Sequence, residues 1–378
     1  MKKLNIMVWM MLGALGLCSC ESDRDSNPVL LDPTTFTLNT PAYASTVYDL
    51  KHSKTLEFAC SQPDYGFTAS TDYTVQVSLT GEFKEAADKN TPATYQSLPT
   101  VHTTARMNVD AQELAVAIVN LSGITEEDKF YKDPIKVYVR LHASVNGGMK
   151  PIYSNVIELP KVLSYFALDP MVMPDKMYMT GSICGWDWAK AYPMVSVYPK
   201  ASGEFWIMKY FAANDEIKFN MSKAWDGTEF GFTNTVINDK ANAGIGDNGG
   251  NIKISNPGWY IVAVKTTIAG RSYTYAVDFL EPTVYVCGPT VGDKWGADGL
   301  KFTTPTTADG EFVSPALTAS GELRLCVVLP KHEWWHTEFI FFGGQIEYRA
   351  NGDDQDRVQA EAGKKVYLDF SKGAGRVE

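Results

Sequence analysis

Residues 178–188 read Tyr-Met-Thr-Gly-Ser-Ile-Cys-Gly-Trp-Asp-Trp, and residues 285–295 read Tyr-Val-Cys-Gly-Pro-Thr-Val-Gly-Asp-Lys-Trp. Both open on Tyr-x-x-Gly and run into a glycine turn that carries tryptophan. The same order of features continues downstream in each. A Gly-Glu-Phe step comes next, at 203–205 and 310–312. An alternating strand follows, Glu216-Ile-Lys218-Phe219 in one copy and Glu322-Leu-Arg324-Leu325 in the other. Each copy then places a tryptophan, Trp225 or Trp334, three residues before a Thr-Glu-Phe triplet. Late in each lies a Gly/Asp/Asn loop before an aliphatic strand, at 246–252 and 352–358. Self-similarity at a fixed spacing marks a repeated structural unit. Two β-domains of ordinary domain size are expected at 166–281 and 282–378.

Helical periodicity is almost absent elsewhere. Short runs rich in Val, Tyr, Thr and Phe alternate with Gly, Pro, Asn and Asp clusters, as in residues 73–79, 135–141 and 260–264. That pattern predicts a sandwich or barrel, so the fold class is all-β. Residues 33–165 are expected to form an immunoglobulin-like sandwich ahead of the two copies. The exception is Asp110-Ala-Gln-Glu-Leu-Ala-Val-Ala-Ile-Val119, where Asp110 and Glu113 form a capping-box pattern.

The chain starts with Lys2 and Lys3, an apolar run from Leu4 to Leu17, and then Leu17-Cys18-Ser19-Cys20. A small residue before a cysteine matches a lipoprotein processing site, so residues 1–19 are expected to be a signal peptide and Cys20 the lipidated anchor. Residues 20–32 follow as an acidic tether. The formal net charge is −10. Nucleic acid, which needs Lys and Arg to displace counterions, is a poor partner for such a chain. Polyanionic glycans are equally poor partners, and neutral ligands are favoured. Cys60, Cys184, Cys287 and Cys326 are irregularly spaced. Cys287 and Cys326 are small buried apolar residues on this reading, with pairing left open.

Sugar rings present flat C–H faces and edges lined with hydroxyls. A site for them needs an aromatic platform and nearby charged donors. The repeated residues Trp186, Trp188, Lys218 and Trp225 in one copy, and Trp295, Arg324, Trp334 and Trp335 in the other, supply both. Which of Trp186 and Trp188 stacks is left open. Trp206 and Trp259 sit in core-like contexts. His332-Glu-Trp-Trp-His336 matches the zinc-protease pattern H-E-x-x-H, but that chemistry needs a helix to aim both rings at one metal. Here strand-like segments flank the motif and the first copy has no histidine. The histidines are expected to line the loop beside Trp334 and Trp335. No metal, cofactor or catalytic residue is expected.

The chain resembles the SusE/SusF family of surface lipoproteins from starch-utilisation-type uptake systems. The resemblance rests on the lipobox, on 36–41, 73–80, 137–140 and 154–157 in the N-terminal part, and on the tandem Tyr-x-x-Gly copies. The copies are also similar, more distantly, to the starch-binding domain of glucoamylase, through a turn Trp, a Glu-x-Lys strand and a second loop Trp. The resemblance implies non-enzymatic capture of neutral glycan, starch first, at the outer face of the outer membrane. It also implies a lipid anchor and work beside a TonB-dependent SusC-like porin and a SusD-like lipoprotein. A binder of a different neutral glycan and a surface glycan hydrolase are the alternatives.

Overall fold

A computed structural model describes residues 29–88, 91–145 and 148–378. Cys20 and the signal segment lie outside the described residues. The described chain divides into two compact units, one ending at Asp169 and one spanning Pro170–Glu378. Both are almost entirely β, as the alternating pattern predicts.

In the first unit the strands are β1 (Tyr48–Asp49), β2 (Thr55–Ala59), β3 (Thr71–Ser78), β4 (Tyr95–His102), β5 (Arg106–Asp110), β6 (Ile135–Val145), β7 (Met149–Tyr153) and β8 (Ile157–Leu163). They form a six-stranded sheet in the order β1-β8-β6-β3-β4, with β7 on β6, and a separate β2-β5 pair. Helix α1 (Ala111–Ser122) follows β5. Asp110 caps it, accepting from the backbone N–H of Gln112 at 2.7 Å and of Glu113 at 3.0 Å. The capping box is only half realised, because the Glu113 carboxylate takes the Thr100 hydroxyl instead. Gly123 ends the helix in the left-handed conformation. Alternation along β3 and β6 buries Val75, Val77, Val137 and Val139 against Leu56, Phe58, Leu114 and Ile118.

The second unit contains both copies. The first comprises β9 (Tyr178–Gly181), β10 (Tyr192–Pro193), β11 (Val195–Ser196), β12 (Glu204–Phe211), β13 (Asp215–Asn220), β14 (Thr235–Asp239), β15 (Ile245–Asn248), β16 (Asn251–Ile254), β17 (Gly258–Ala269) and β18 (Ser272–Leu280). Two five-stranded sheets, β10-β9-β13-β16-β15 and β11-β12-β17-β18-β14, enclose a core of Phe205, Ile217, Phe219, Val262 and Phe279. The second copy comprises β19 (Val284–Cys287), β20 (Leu300–Lys301), β21 (Phe312–Val313), β22 (Gly321–Val327), β23 (Glu338–Phe342), β24 (Gln345–Tyr348), β25 (Val358–Ala360), β26 (Val366–Asp369) and β27 (Ala374–Val377). Its strands join into one curled sheet.

The repeat is exact at the level of strand register. Lys218 pairs with Thr180 in the first copy, and Arg324 pairs with Cys287 in the second. Phe219 bridges Phe230, and Leu325 pairs with Phe339. The openings align as well, because Thr180 and Cys287 each precede the glycine of the Tyr-x-x-Gly motif. At Gly181 a Cβ would stand 2.0 Å from the Glu216 carbonyl oxygen, so only glycine lets the two strands close.

The two copies share a hydrophobic core. Trp206, Met208, Trp259 and Ile261 on the outer face of the first copy pack with Phe312, Leu325, Phe339 and Leu368 of the second. The Trp206 ring meets Tyr348 edge-on at 5.4 Å, and Trp259 meets Phe312 at 5.3 Å. The Trp259 indole N–H donates to the Thr307 carbonyl at 2.9 Å. These two tryptophans therefore hold one copy against the other.

Candidate functional site

Each copy presents a pair of tryptophans at matching places. In the first, a 310 turn (Ser182–Cys184) ends at Gly185 in the left-handed region, and Trp186 follows with φ of 59°. The facing loop, 221–229, is built on Asn220, which is fully buried. Its amide donates to the Ala224 carbonyl at 2.9 Å and to the Asp226 carboxylate at 3.1 Å. Asp226 also takes the Ser222 hydroxyl at 2.6 Å and the Thr228 backbone N–H at 3.0 Å. Hydrogen bonds from Ser222 and Thr228 hold the Asp226 carboxyl well below the usual range. This polar frame leaves Trp225 outside, 53% exposed. The Trp186 and Trp225 rings lie 6.3 Å apart at 36°.

Trp188, the rival for the first position, is buried, only 5% exposed. Its ring meets Trp225 edge-on at 5.3 Å. It supports the platform from beneath and has no face to offer a ligand. Lys218 is half-buried and has no hydrogen-bond or ion-pair partner among the described residues. It lines a hollow of about 440 Å³ with Thr228, Glu229, Asn234 and Tyr273. Beside it on the same strand face, Glu216 accepts from Asn248 at 2.5 Å and from Asn251 at 2.7 Å. The late loop of the repeat thus orients the acidic neighbour of the free lysine.

In the second copy Trp295 is 41% exposed and lies 4.8 Å from Trp334 at 30°. Gly288 makes room for that ring. With φ of 82°, a Cβ there would fall 3.1 Å from Trp295 and 3.2 Å from Arg324. Arg324 differs from the expected hydroxyl donor. It is buried and ringed by Glu338 at 2.5 Å, Glu322 at 2.6 Å and Asp354 at 3.0 Å. The contact of its Nε with Glu338 is close but out of line for a hydrogen bond, so it is Coulombic. Its guanidinium stands 5.2 Å from the Trp334 ring, as a backing cation for the platform. Arg349 closes the cluster with 2.9 Å to Glu338. Burial pushes Glu338 up even though Arg349 and Arg324 pull it down.

Trp335 does not join Trp334. Its ring packs at 4.6 Å on Tyr198 of the first copy, and the Arg349 guanidinium covers it at 5.1 Å. Successive residues of the 310 turn Trp334–Thr337 point apart, which sends one ring to the platform and the other to the contact between copies. That turn is also not the helix that the H-E-x-x-H pattern requires. His332 is held by Glu204 of the first copy at 2.6 Å, and His336 meets the Trp335 ring edge-on at 4.2 Å. The histidines thus serve the packing of one copy on the other. Cys287 and Cys326 are free buried thiols.

Asn220, Asp226, Glu338 and Tyr198 were not singled out from the sequence. Glu338 had a signal, since it is the middle residue of a triplet present in both copies.

Comparison with known proteins bears directly on this geometry. The family described as "SusF/SusE starch specific CBMs" matches residues 176–276 and 283–376. The family described as "SusE outer membrane protein" matches residues 23–141. The chain is 41% identical over 220 residues to the outer membrane protein SusF of Bacteroides thetaiotaomicron, covering 54% of this chain and 44% of that one. The chain therefore spans less than half the length of this curated relative. The crystal structure of SusF from the same organism aligns with a TM-score of 0.43 at 23% identity, covering 91% of this chain and 99% of that one.

Proposed function

We infer, from the premise that the chain belongs to the SusF/SusE family of starch-specific carbohydrate-binding modules, that it captures neutral α-glucan and performs no chemistry on it. The observation that carries this is the pair of tilted tryptophan platforms, Trp186 with Trp225 and Trp295 with Trp334, at equivalent places in the two copies. Two rings inclined by about a third of a right angle make a curved floor. An α-1,4-glucan curves, whereas flat β-linked ribbons suit coplanar rings. Each ring offers apolar area to a sugar face at little rotamer cost. In the first copy Lys218 supplies the charged donor for adjacent hydroxyls. In the second, Trp295 and Trp334 carry the contact, and Arg324 acts through Trp334.

The protein works at the outer membrane. On this reading it is held by a lipid on Cys20, faces the exterior, and delivers glycan to a SusC-like porin beside a SusD-like lipoprotein. Native-gel affinity electrophoresis against starch, glycogen, a β-glucan and a fructan tests the binding. Retardation by starch and glycogen is expected. Retardation only by the β-glucan or the fructan would refute the α-glucan assignment, and retardation by none would refute glycan capture.

A further inference from the structure

The first unit has a surface that the tryptophan platforms do not explain. Its six-stranded sheet buries one face and turns Gln76, Arg140 and His142 to the other. Antiparallel pairing sets Gln76 beside Arg140 and Ser97, and His142 beside Tyr153. Arg140 sits in a ring of aromatics. Its guanidinium carbon lies 4.0 Å from the Tyr153 ring, 4.5 Å from Phe83 and 5.3 Å from Tyr95. Phe83 and Tyr95 are 5.8 Å apart, and Tyr153 is itself 45% exposed.

The orientation of Arg140 is fixed from below. Its Nε donates to Gln76 Oε1 at 2.7 Å, and the Gln76 amide donates to the Ser97 hydroxyl at 3.1 Å. No carboxylate pairs with it among the described residues. Arg324, by contrast, is saturated by three. A guanidinium aimed by a neutral hydrogen-bond chain, flanked by rings and left with its terminal nitrogens unspent, is a preorganised donor. Two neighbouring N–H groups in a plane match two adjacent hydroxyls. A polyanion is disfavoured by the formal charge of −10 on the chain.

We propose that this sheet face of the first unit is a third glycan contact, with Tyr153 and Tyr95 stacking on sugar faces and Arg140 bonding a hydroxyl pair. The choice of ligand rests on the glycan reading above, while the site does not share residues with the tryptophan platforms. Its role is to add a contact on long chains.

Hydroxyl-radical footprinting of the full mature chain with amylopectin tests it. Oxidation at Tyr153 and Tyr95 is expected to fall severalfold, together with that at Trp225 and Trp295. Protection of Trp225 and Trp295 with Tyr153 unchanged would overturn the third contact and leave the platforms standing, including the case where this face docks a protein. Protection at none of them would overturn both readings. As a second arm, Arg140→Gln with Tyr153→Ala is placed in a chain already carrying Trp225→Ala and Trp334→Ala. Residual retardation by amylopectin should weaken further at an unchanged melting temperature. Residual retardation that persists unaltered would overturn the proposal.

Discussion

Replacing Trp225 by alanine separates a ligand platform from a core residue. The ring is 53% exposed, tilted at 36° to Trp186 and edge-on to Trp188. The loop that presents it is held by Asn220, Ser222, Asp226 and Thr228, and none of those bonds uses the indole. A tryptophan carries about 200 Å² of contact area, and half of it is already in water here. At about 25 cal/mol per Å² the stability cost is at most about 2.5 kcal/mol. For a unit of this size that is a drop of at most about 5–10 °C in melting temperature. Losing one of two stacking rings should cost the first platform about 1–2 kcal/mol of binding, or roughly five- to thirtyfold in affinity. Calorimetric titration with maltoheptaose reads this in a Trp334→Ala background, where the second platform is already weakened. Affinity within twofold of that background, with a normal melt, would show that the sugar sits elsewhere. A melting temperature lowered by tens of degrees would show that Trp225 is structural.

The buried neighbour Trp188→Ala should behave in the opposite way, losing about 3–5 kcal/mol of stability as a large aromatic leaves a packed site, read by thermal melts. Trp335→Ala should lower the melting temperature of the second unit and leave maltoheptaose affinity unchanged, since its ring packs on Tyr198. Arg324→Ala should destabilise by about 3–5 kcal/mol in denaturant titration, because Glu338 is then left buried with one cation fewer. Asp226 has a folded pKa held below its ordinary 3.8, so the loop order it supplies is present above that value and lost as pH falls through the folded pKa. The stability that the Asp226 carboxylate lends this loop should therefore decline progressively below about pH 4 in thermal melts, and Asp226→Asn should flatten that acid limb. The double variant Trp225→Ala/Trp334→Ala should lose far more retention on long polymer than either single change, because two sites joined in one chain act at high effective concentration.

Much of this architecture was legible in the chain. Alternation of apolar and polar residues along 73–79, 135–141 and 216–219 follows from the two-residue period of a strand, which depends only on local sequence. The helix after Asp110 was legible for the same reason, since a cap is made by residues two and three positions away. The matching order of motifs in the two copies foretold equivalent placement of Lys218 and Arg324, and the register agrees. Only the tertiary structure could separate Trp188 from Trp186 and Trp335 from Trp334. Adjacent tryptophans look alike in sequence, and burial depends on what a distant segment brings against each ring. Tyr198 reaches Trp335 across more than a hundred residues, and the Trp225 loop closes over Trp188. The same holds for the two basic residues. Lys218 stays free because the late loop of its copy supplies Asn248 and Asn251 to Glu216. Arg324 is saturated because the corresponding loop supplies Asp354, and β23 adds Glu338. Equivalent backbones thus hold a free cation in one copy and a neutralised one in the other, through side chains far away along the chain.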